Sequence, residues 1–502
     1  MVMSRGRGRW GAFVAAALGC ALPGCMVPSD RLTFPAAPLR ADETGWLYDV
    51  DNNGVVDFAA RTGDDGRITA LAYDDDEDGV FDRVYRLADV DDERVPHLIL
   101  LLDSLPYEAA AAAHAAGALP AFAAPRKVIA PFPSMSELIF STLLGVPPPP
   151  GMINRYYDRR TGGIENRIVK RAFGARNPWQ LRLHYHIAYW ENGLTFLKPR
   201  PWYVAEMRRV KDALDESPDR ITVAYVASTA GLVSKYGVKA FEEVFTEINR
   251  LVMQLLYERC GAIRVSVISD HGHNLVPAER VSLDDALRAA GFLVTNRLRG
   301  DRDVVYDIDG LVNYLGINTR RAAEVADALL PAHPELELAM YLDGTRVVVR
   351  DRSGAAVIER RGERLRYAID TADVLGYTPV LEALRAAGKV DEAGWVGDRD
   401  WFEATVDHYW PDAPRRLWDA FHGNAVNTPE LMLTFRDGYC TGLDSLAIFV
   451  TMRSTHGGLH QADSAAFAMS MTDRLHGPMR TRDVLAVLEP AYDSGHKPGG
   501  SR

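Results

Sequence analysis

The sequence predicts an α/β protein: a doubly wound, mostly parallel sheet with helices on both faces, preceded by a small acidic repeat region and carrying an inserted cap subdomain. Three observations carry that expectation. Short apolar runs at Leu98–Leu102, Ile221–Ala227 and Val265–Ser269 lack polar alternation and so read as strands buried on both faces. Each ends in polar residues: Asp103 after the first, Ser228-Thr229 after the second, Asp270-His271-Gly272 after the third. Between the second and third lies a long amphipathic helical pattern, Phe241–Arg259, and strand, helix, strand is the mark of parallel winding. Ligands in such sheets collect beyond the carboxyl ends of the strands, so these run ends are where chemistry is expected.

At 502 residues the chain is long enough for one large α/β domain with additions. Its net charge of −11, with no basic stripe to offset it, argues against nucleic-acid binding. At the start, Arg5, Arg7 and Arg9 precede an apolar run, Trp10–Leu22, that is too short to span a bilayer and reads as an export signal. The run ends Leu22-Pro23-Gly24-Cys25, which resembles the lipobox of bacterial lipoproteins. That resemblance implies a signal peptide over residues 1–25, lipidation of Cys25, and an exported protein anchored in a bacterial cell envelope on a periplasmic or outer-surface face. An ordinary cleaved signal or an uncleaved anchor is the alternative. Beyond this segment only Cys260 and Cys440 remain, and an exported location permits a disulfide that the sequence does not assign. Residues 26–45, with Pro28, Pro35 and Pro38, read as a flexible linker.

A two-copy repeat occupies residues 46–95. Asp49, Asp51, Asn53 and Asp57 in the first copy match Asp74, Asp76, Asp78 and Asp82 in the second, with Gly54 and Gly79 at corresponding turns. Oxygen ligands at alternate positions around a glycine turn suit calcium, which wants six or more oxygens. The twelfth position, a bidentate Glu in an EF-hand, holds Ala60 and Tyr85, so weak calcium binding is expected; plain acidic turns are the alternative.

The main domain is expected over 96–490, with a flexible tail at 491–502. After Asp103 an alanine-rich helix is predicted from about Pro106 to Ala116. A proline-punctuated loop, Pro125–Pro133, then leads to Ser134-Met135-Ser136-Glu137, where Ser134 and Glu137 form a capping box and Ser136 falls in the first helical turn. A hydroxyl there lies beside free backbone donors and the positive end of the helix dipole, where an anion is favoured. The four prolines between Gly145 and Gly151 form a rigid loop, and residues 152–215 show no clear pattern. About 300–425 reads as the inserted or cap region, with strands such as Thr345–Arg350 and Ala356–Glu359 and helical stretches near Phe402–Trp410 and Arg415–Phe421. Strands return at Leu431–Phe435 and Leu446–Met452, the latter leading into Ser454-Thr455-His456-Gly457.

Asp103, Ser136, Asp270, His271 and His456 thus come from strand ends and one helix start, and carboxylate, imidazole and hydroxyl together suit a zinc-like ion that activates a nucleophile. In this order they resemble the alkaline phosphatase superfamily, in particular its type I phosphodiesterase and nucleotide pyrophosphatase branch, from about His97 to Leu488, with little likeness over 290–425. The residues that carry the resemblance are Asp103 after its leucine run, Ser136 ahead of Leu143-Leu144-Gly145, Asp270-His271-Gly272 and Thr455-His456-Gly457. The resemblance implies Ser136 as nucleophile, Asp103, Ser136, Asp270 and His271 around a first zinc or similar divalent transition metal, and His456 at a second. One departure stands out. Where the family pattern has an Asp and a His for the second ion, this chain has Ala230 and Ser234. The expected function is therefore metal-dependent hydrolysis of phosphate esters, by a phosphodiesterase or phosphatase acting through a serine, with one metal or with a second site rebuilt from residues such as His460, His184 or His186. The expected partners are a phosphorylated or sulfated small molecule and the membrane through its lipid anchor. The alternative is a catalytically impaired relative, an envelope lipoprotein that binds an anionic ligand.

Overall fold

The computed structural model describes residues 28–167, 170, 174–442, 453–490 and 492. The export segment with Cys25, the strand read at Leu446–Met452 and nearly all of the tail after 490 lie outside the described residues. Among the described residues no helix is long and apolar enough to cross a membrane.

A seven-stranded sheet organises the chain. Its order is Tyr185–His186, Ile221–Val226, His97–Leu102, Arg264–Ser269, Ala465–Ser470, Arg126–Ile129, Met479–Arg480. The first four run parallel, Ala465–Ser470 is antiparallel to both its neighbours, and the last pair is parallel again. All six residues of His97–Leu102 are buried, because parallel neighbours flank this central strand and helices cover both faces. Its side chains alternate between two cores. Leu98, Leu100 and Leu102 pack with the helices Pro199–Glu216 and Phe241–Glu258, while Ile99 and Leu101 pack with Ser136–Leu143 and Thr481–Leu488.

The acidic repeat forms a five-stranded antiparallel meander: Arg40–Asp42, Gly45–Tyr48, Phe58–Thr62, Ile68–Tyr73 and Arg83–Arg86. It shares a core with the main domain, since Tyr48, Phe58 and Tyr73 join Leu98, Phe245 and Val252 in one cluster. The expected flexible linker is corrected here. Leu32 and Phe34 are buried in that cluster, Arg250 donates to their carbonyl oxygens, and Arg40–Asp42 is a strand. Two apolar side chains with a place in the core outweigh the prolines around them. Cys260 and Cys440 are free thiols.

The inserted region is wider than expected. A nine-stranded, mainly antiparallel sheet runs from Leu293–Val294 to Leu431–Phe435 in sequence and is closed by pairing of Tyr314–Thr319 with Leu431–Phe435. One of its faces packs through Tyr314, Leu338 and Met340 on Phe132, Leu138, Met152 and Ile153, the surroundings of the Ser136 helix. The aromatic stretch read as helical to Trp410 is a helix only over Asp398–Thr405.

Helix Ser228–Tyr236 seats its first turn on a buried carboxylate: Glu206 Oε2 accepts from Ser228 N at 2.9 Å. Burial pushes this carboxyl up to about 7, against partial opposition from the Ser228 hydroxyl and the Ser228 and Ala227 amides. A raised carboxyl pKa adds stability that is complete below the unfolded value and is lost as pH rises through the folded one. Glu206→Gln is therefore expected to flatten the loss of stability between about pH 4.5 and 7 by on the order of 3 kcal/mol, read from thermal unfolding across that range.

Candidate active site

Register sets the site. The parallel neighbours pair Tyr225 with Leu101 and Ser269 with Leu102, so the three strands end level and present Asp103, Asp270 and His271 together. Ser104, at φ 67°, turns the chain out of its strand, and its amide donates to Asp270 Oδ1 at 3.0 Å, tying the two strand ends. Its hydroxyl donates to Asp103 Oδ1 at 2.7 Å, the Tyr225 hydroxyl donates to Asp103 Oδ2, and Thr229 Oγ1 accepts from Asp103 N at 3.0 Å.

Asp270 Oδ1 also accepts from His271 N at 2.7 Å, whereas Asp270 Oδ2 and His271 Nε2 are buried and lack a protein hydrogen-bond partner. His271 Nδ1 faces the Gly272 carbonyl at 2.8 Å and so carries the proton, which leaves Nε2 as a lone-pair nitrogen. Nε2 lies 3.5 Å from Asp270 Oδ2 and 3.9 Å from Asp103 Oδ1, and one ligand atom from each residue falls within 4.8 Å of the others. Burial, then the neighbouring Asp103 charge, holds the Asp270 carboxyl well above the usual carboxylate range, and burial lowers His271. Two adjoining buried carboxylates and a neutral imidazole, with two orphaned donor atoms between them, fit a divalent transition metal. Gly272 is required beside them, because a Cβ there would stand 2.1 Å from the Ala462 carbonyl oxygen of the short helix Gln461–Ser464.

Ser136 is the first residue of helix Ser136–Leu143, and its hydroxyl lies beside the Asp270 carboxylate, favouring the ionised form. The expected capping box does not form. Met135 takes the cap position, Ser134 Oγ donates instead to the Gly458 carbonyl, and Glu137 Oε2 accepts from Trp179 Nε1 and Asn177 Nδ2. Ser136 and Asp103 open on a cleft of about 340 Å³ whose lining includes Trp179, Arg176, His186, Asn192 and Tyr225.

His456 stacks on His271 with ring centroids 4.0 Å apart, and its Nδ1 faces the Ser134 carbonyl at 3.0 Å. Burial, followed by the neighbouring titratable His271 ring, pushes its pKa down to about 4. Ala230 and Ser234 are buried in helix Ser228–Tyr236 and bring neither carboxylate nor imidazole. The candidate replacements sit among other partners. His460 Nε2 sits 3.3 Å from Asp437 and 3.4 Å from Asp463, and His184 bridges Asp219 and the Val223 amide. His186 lines the cleft with its Nδ1 toward the Ile187 carbonyl. Among the described residues, the groups with metal-ligand spacing are Asp103 with Asp270 and His271, and the two acidic loops. Sequence reasoning assigned no role to Ser104, Thr229 or Tyr225, although Ser228-Thr229 stands among the expected run ends. Ser104 was recoverable as the chain neighbour of Asp103; the contacts of Tyr225 and Thr229 with Asp103 follow only from register.

No family model and no curated protein matches the chain. Among solved structures it is similar to phosphonoacetate hydrolase from Sinorhizobium meliloti 1021 in complex with phosphonoacetate, at 14% identity and a TM-score of 0.42 over 79% of this chain and 96% of that one. It is likewise similar to murine ectonucleotide pyrophosphatase/phosphodiesterase 5, at 10% identity and a TM-score of 0.41 over 81% of this chain and 97% of that one. Both likenesses are distant, and the chemistry of the site rests on this chain's own residues.

Proposed function

We propose that the chain is a metal-dependent phosphoric ester hydrolase with Ser136 as its nucleophile. The observation that carries this reading is the pair of buried, unpartnered donor atoms, Asp270 Oδ2 and His271 Nε2, gathered with Asp103 beside a serine at a helix start. Asp103, Asp270 and His271, with Ser136 as the fourth position, would hold a zinc-like divalent ion. Such an ion lowers the pKa of the serine hydroxyl and draws charge from a phosphoryl oxygen.

The chain's own residues do the rest. The Gly272 carbonyl fixes the His271 tautomer, and Ser104 and Tyr225 fix the Asp103 carboxylate, so that the ligand atoms are held before substrate arrives. Ser136 Oγ, its proton passed to solvent in the cleft, attacks phosphorus as the phosphorus–oxygen ester bond breaks and the leaving oxygen takes up a proton from water, giving a phosphoserine that a second water then cleaves to phosphate and free serine. The first turn of the Ser136 helix favours the anion through its backbone donors and dipole. Neutral His456, stacked on His271, packs against the ring that supplies the Nε2 ligand atom.

Metal analysis of the purified chain together with assays on aryl phosphates, phosphodiesters and sulfates tests the reading. About one tightly held transition metal and turnover of at least one ester are expected. Two ions would refute the one-metal form. No metal and no turnover would instead support an anion-binding envelope protein, which the absence of ligands at Ala230 and Ser234 favours.

Export and lipid anchoring at Cys25 belong to the same proposal and rest on the lipobox-like run. Cys25→Ser is expected to release the protein from the membrane fraction or to block its processing, because acyl chains supply the anchoring apolar area. Unchanged fractionation and an unchanged N-terminal mass would remove the claim.

A further inference from the structure

We propose that the two acidic hairpin loops are a linked pair of calcium sites that brace the N-terminal meander against helix Phe241–Glu258, behind the catalytic sheet. The loops are structural copies. Each joins two antiparallel strands, Gly45–Tyr48 to Phe58–Thr62 and Ile68–Tyr73 to Arg83–Arg86. Each passes through a non-glycine residue at positive φ, Asn52 at 61° and Glu77 at 59°, and then a glycine at 96° or 87°. In each, the first aspartate accepts from that glycine's amide: Asp49 Oδ2 from Gly54 at 2.7 Å, Asp74 Oδ2 from Gly79 at 2.9 Å.

Both loops gather carboxylate oxygens. Asp49, Asp51 and Asp57 in one, and Asp74, Asp76 and Asp78 in the other, each bring an oxygen within 4.8 Å of the other two. A second, independent observation points to a ligand. Asp74 is only 4% exposed, and its Oδ1 is buried with no hydrogen-bond partner. A buried carboxylate oxygen without a donor, facing two further carboxylates, is costly unless a cation supplies the missing charge. The donors are oxygens throughout, which selects a hard ion. The small count of charged ligands and the irregular loop backbone suit calcium over magnesium, with a Kd on the order of 10⁻⁴ M.

Two contacts turn local binding into a brace. Asn53 Nδ2 donates to Glu77 Oε2 at 2.8 Å, joining one loop to the other. Tyr73, directly before Asp74, stacks on Tyr257 with centroids 5.6 Å apart and donates its hydroxyl to the Tyr257 carbonyl at 2.9 Å, while Tyr48, directly before Asp49, packs on Phe34 and Phe58. Ordering the first ligand of each loop therefore orders an aromatic that holds the meander on the helix.

The test uses the full chain, stripped of calcium, titrated with CaCl₂ by calorimetry and followed by thermal unfolding, with MgCl₂ as control. The expected result is two calcium ions per chain, a midpoint that rises with calcium and much less with magnesium, and loss of one ion in either Asp51→Ala or Asp76→Ala. Both substitutions fall on exposed residues, so the double variant should fold, bind no calcium, show no calcium-dependent rise and keep its transition-metal content. Glu77→Ala, which removes no expected ligand, should still bind two ions but independently of each other. No bound calcium in the parent chain, or an undiminished rise in the double variant, would overturn the sites. Linked binding that survives in Glu77→Ala would overturn the pairing.

Discussion

Ser136→Ala is expected to lower phosphoesterase activity by about 10⁴-fold or more, because among the described residues no other hydroxyl of the site starts a helix beside Asp270, and loss of a nucleophile is rarely compensated. The change should be modest in stability. The helix is capped at Met135, without a side-chain cap hydrogen bond, so the loss is that of the hydroxyl beside the buried Asp270 carboxylate, about 1–2 kcal/mol, read from denaturant unfolding. Bound metal should persist, since Asp103, Asp270 and His271 are untouched. Hydrolysis of an aryl phosphate at parental rates by a folded, metal-bearing Ser136→Ala would move the nucleophile elsewhere. A variant that no longer traps phosphate on the chain, where the parent does, would place the covalent step on this serine.

What the sequence made legible follows the range of the interactions involved. The strands at Leu98–Leu102 and Val265–Ser269 stood out because a central parallel strand is apolar on both faces, and the residues after them were legible because such strands end where sites form. The Ser134–Glu137 capping box is a local rule that lost to distant partners, as Trp179 and Asn177 draw the Glu137 carboxylate away. The buried place of Leu32 and Phe34 depends on Arg250 and Gln254, more than two hundred residues away, and a proline-rich stretch gives no hint of it. The cap sheet was blurred for the same reason: Tyr314–Thr319 pairs with Leu431–Phe435 across the whole insertion. Tyr225 and Thr229 touch Asp103 only through strand register, which short apolar runs do not specify.

Asp270→Asn is expected to move metal affinity and metal-free stability in opposite directions. Asparagine can keep the Oδ1 bonds from Ser104 N at 3.0 Å and His271 N at 2.7 Å, so the turn joining the two strand ends should survive. What changes is Oδ2, the buried oxygen without a protein partner, which becomes a neutral amide nitrogen unable to ligate. Transition-metal affinity should therefore fall by about 100-fold or more, and activity with it. In the presence of a chelator the sign reverses. There the parent keeps two neighbouring carboxylates in a buried site, where burial and the Asp103 charge both oppose ionisation of Asp270, and removing one charge should raise stability by about 1–3 kcal/mol at neutral pH. Thermal unfolding of both proteins, with zinc and with chelator, reads the two effects side by side. If Asp270→Asn destabilised the chelated protein while leaving metal content intact, Asp270 would be a structural residue of the turn, and the metal would have to be held elsewhere.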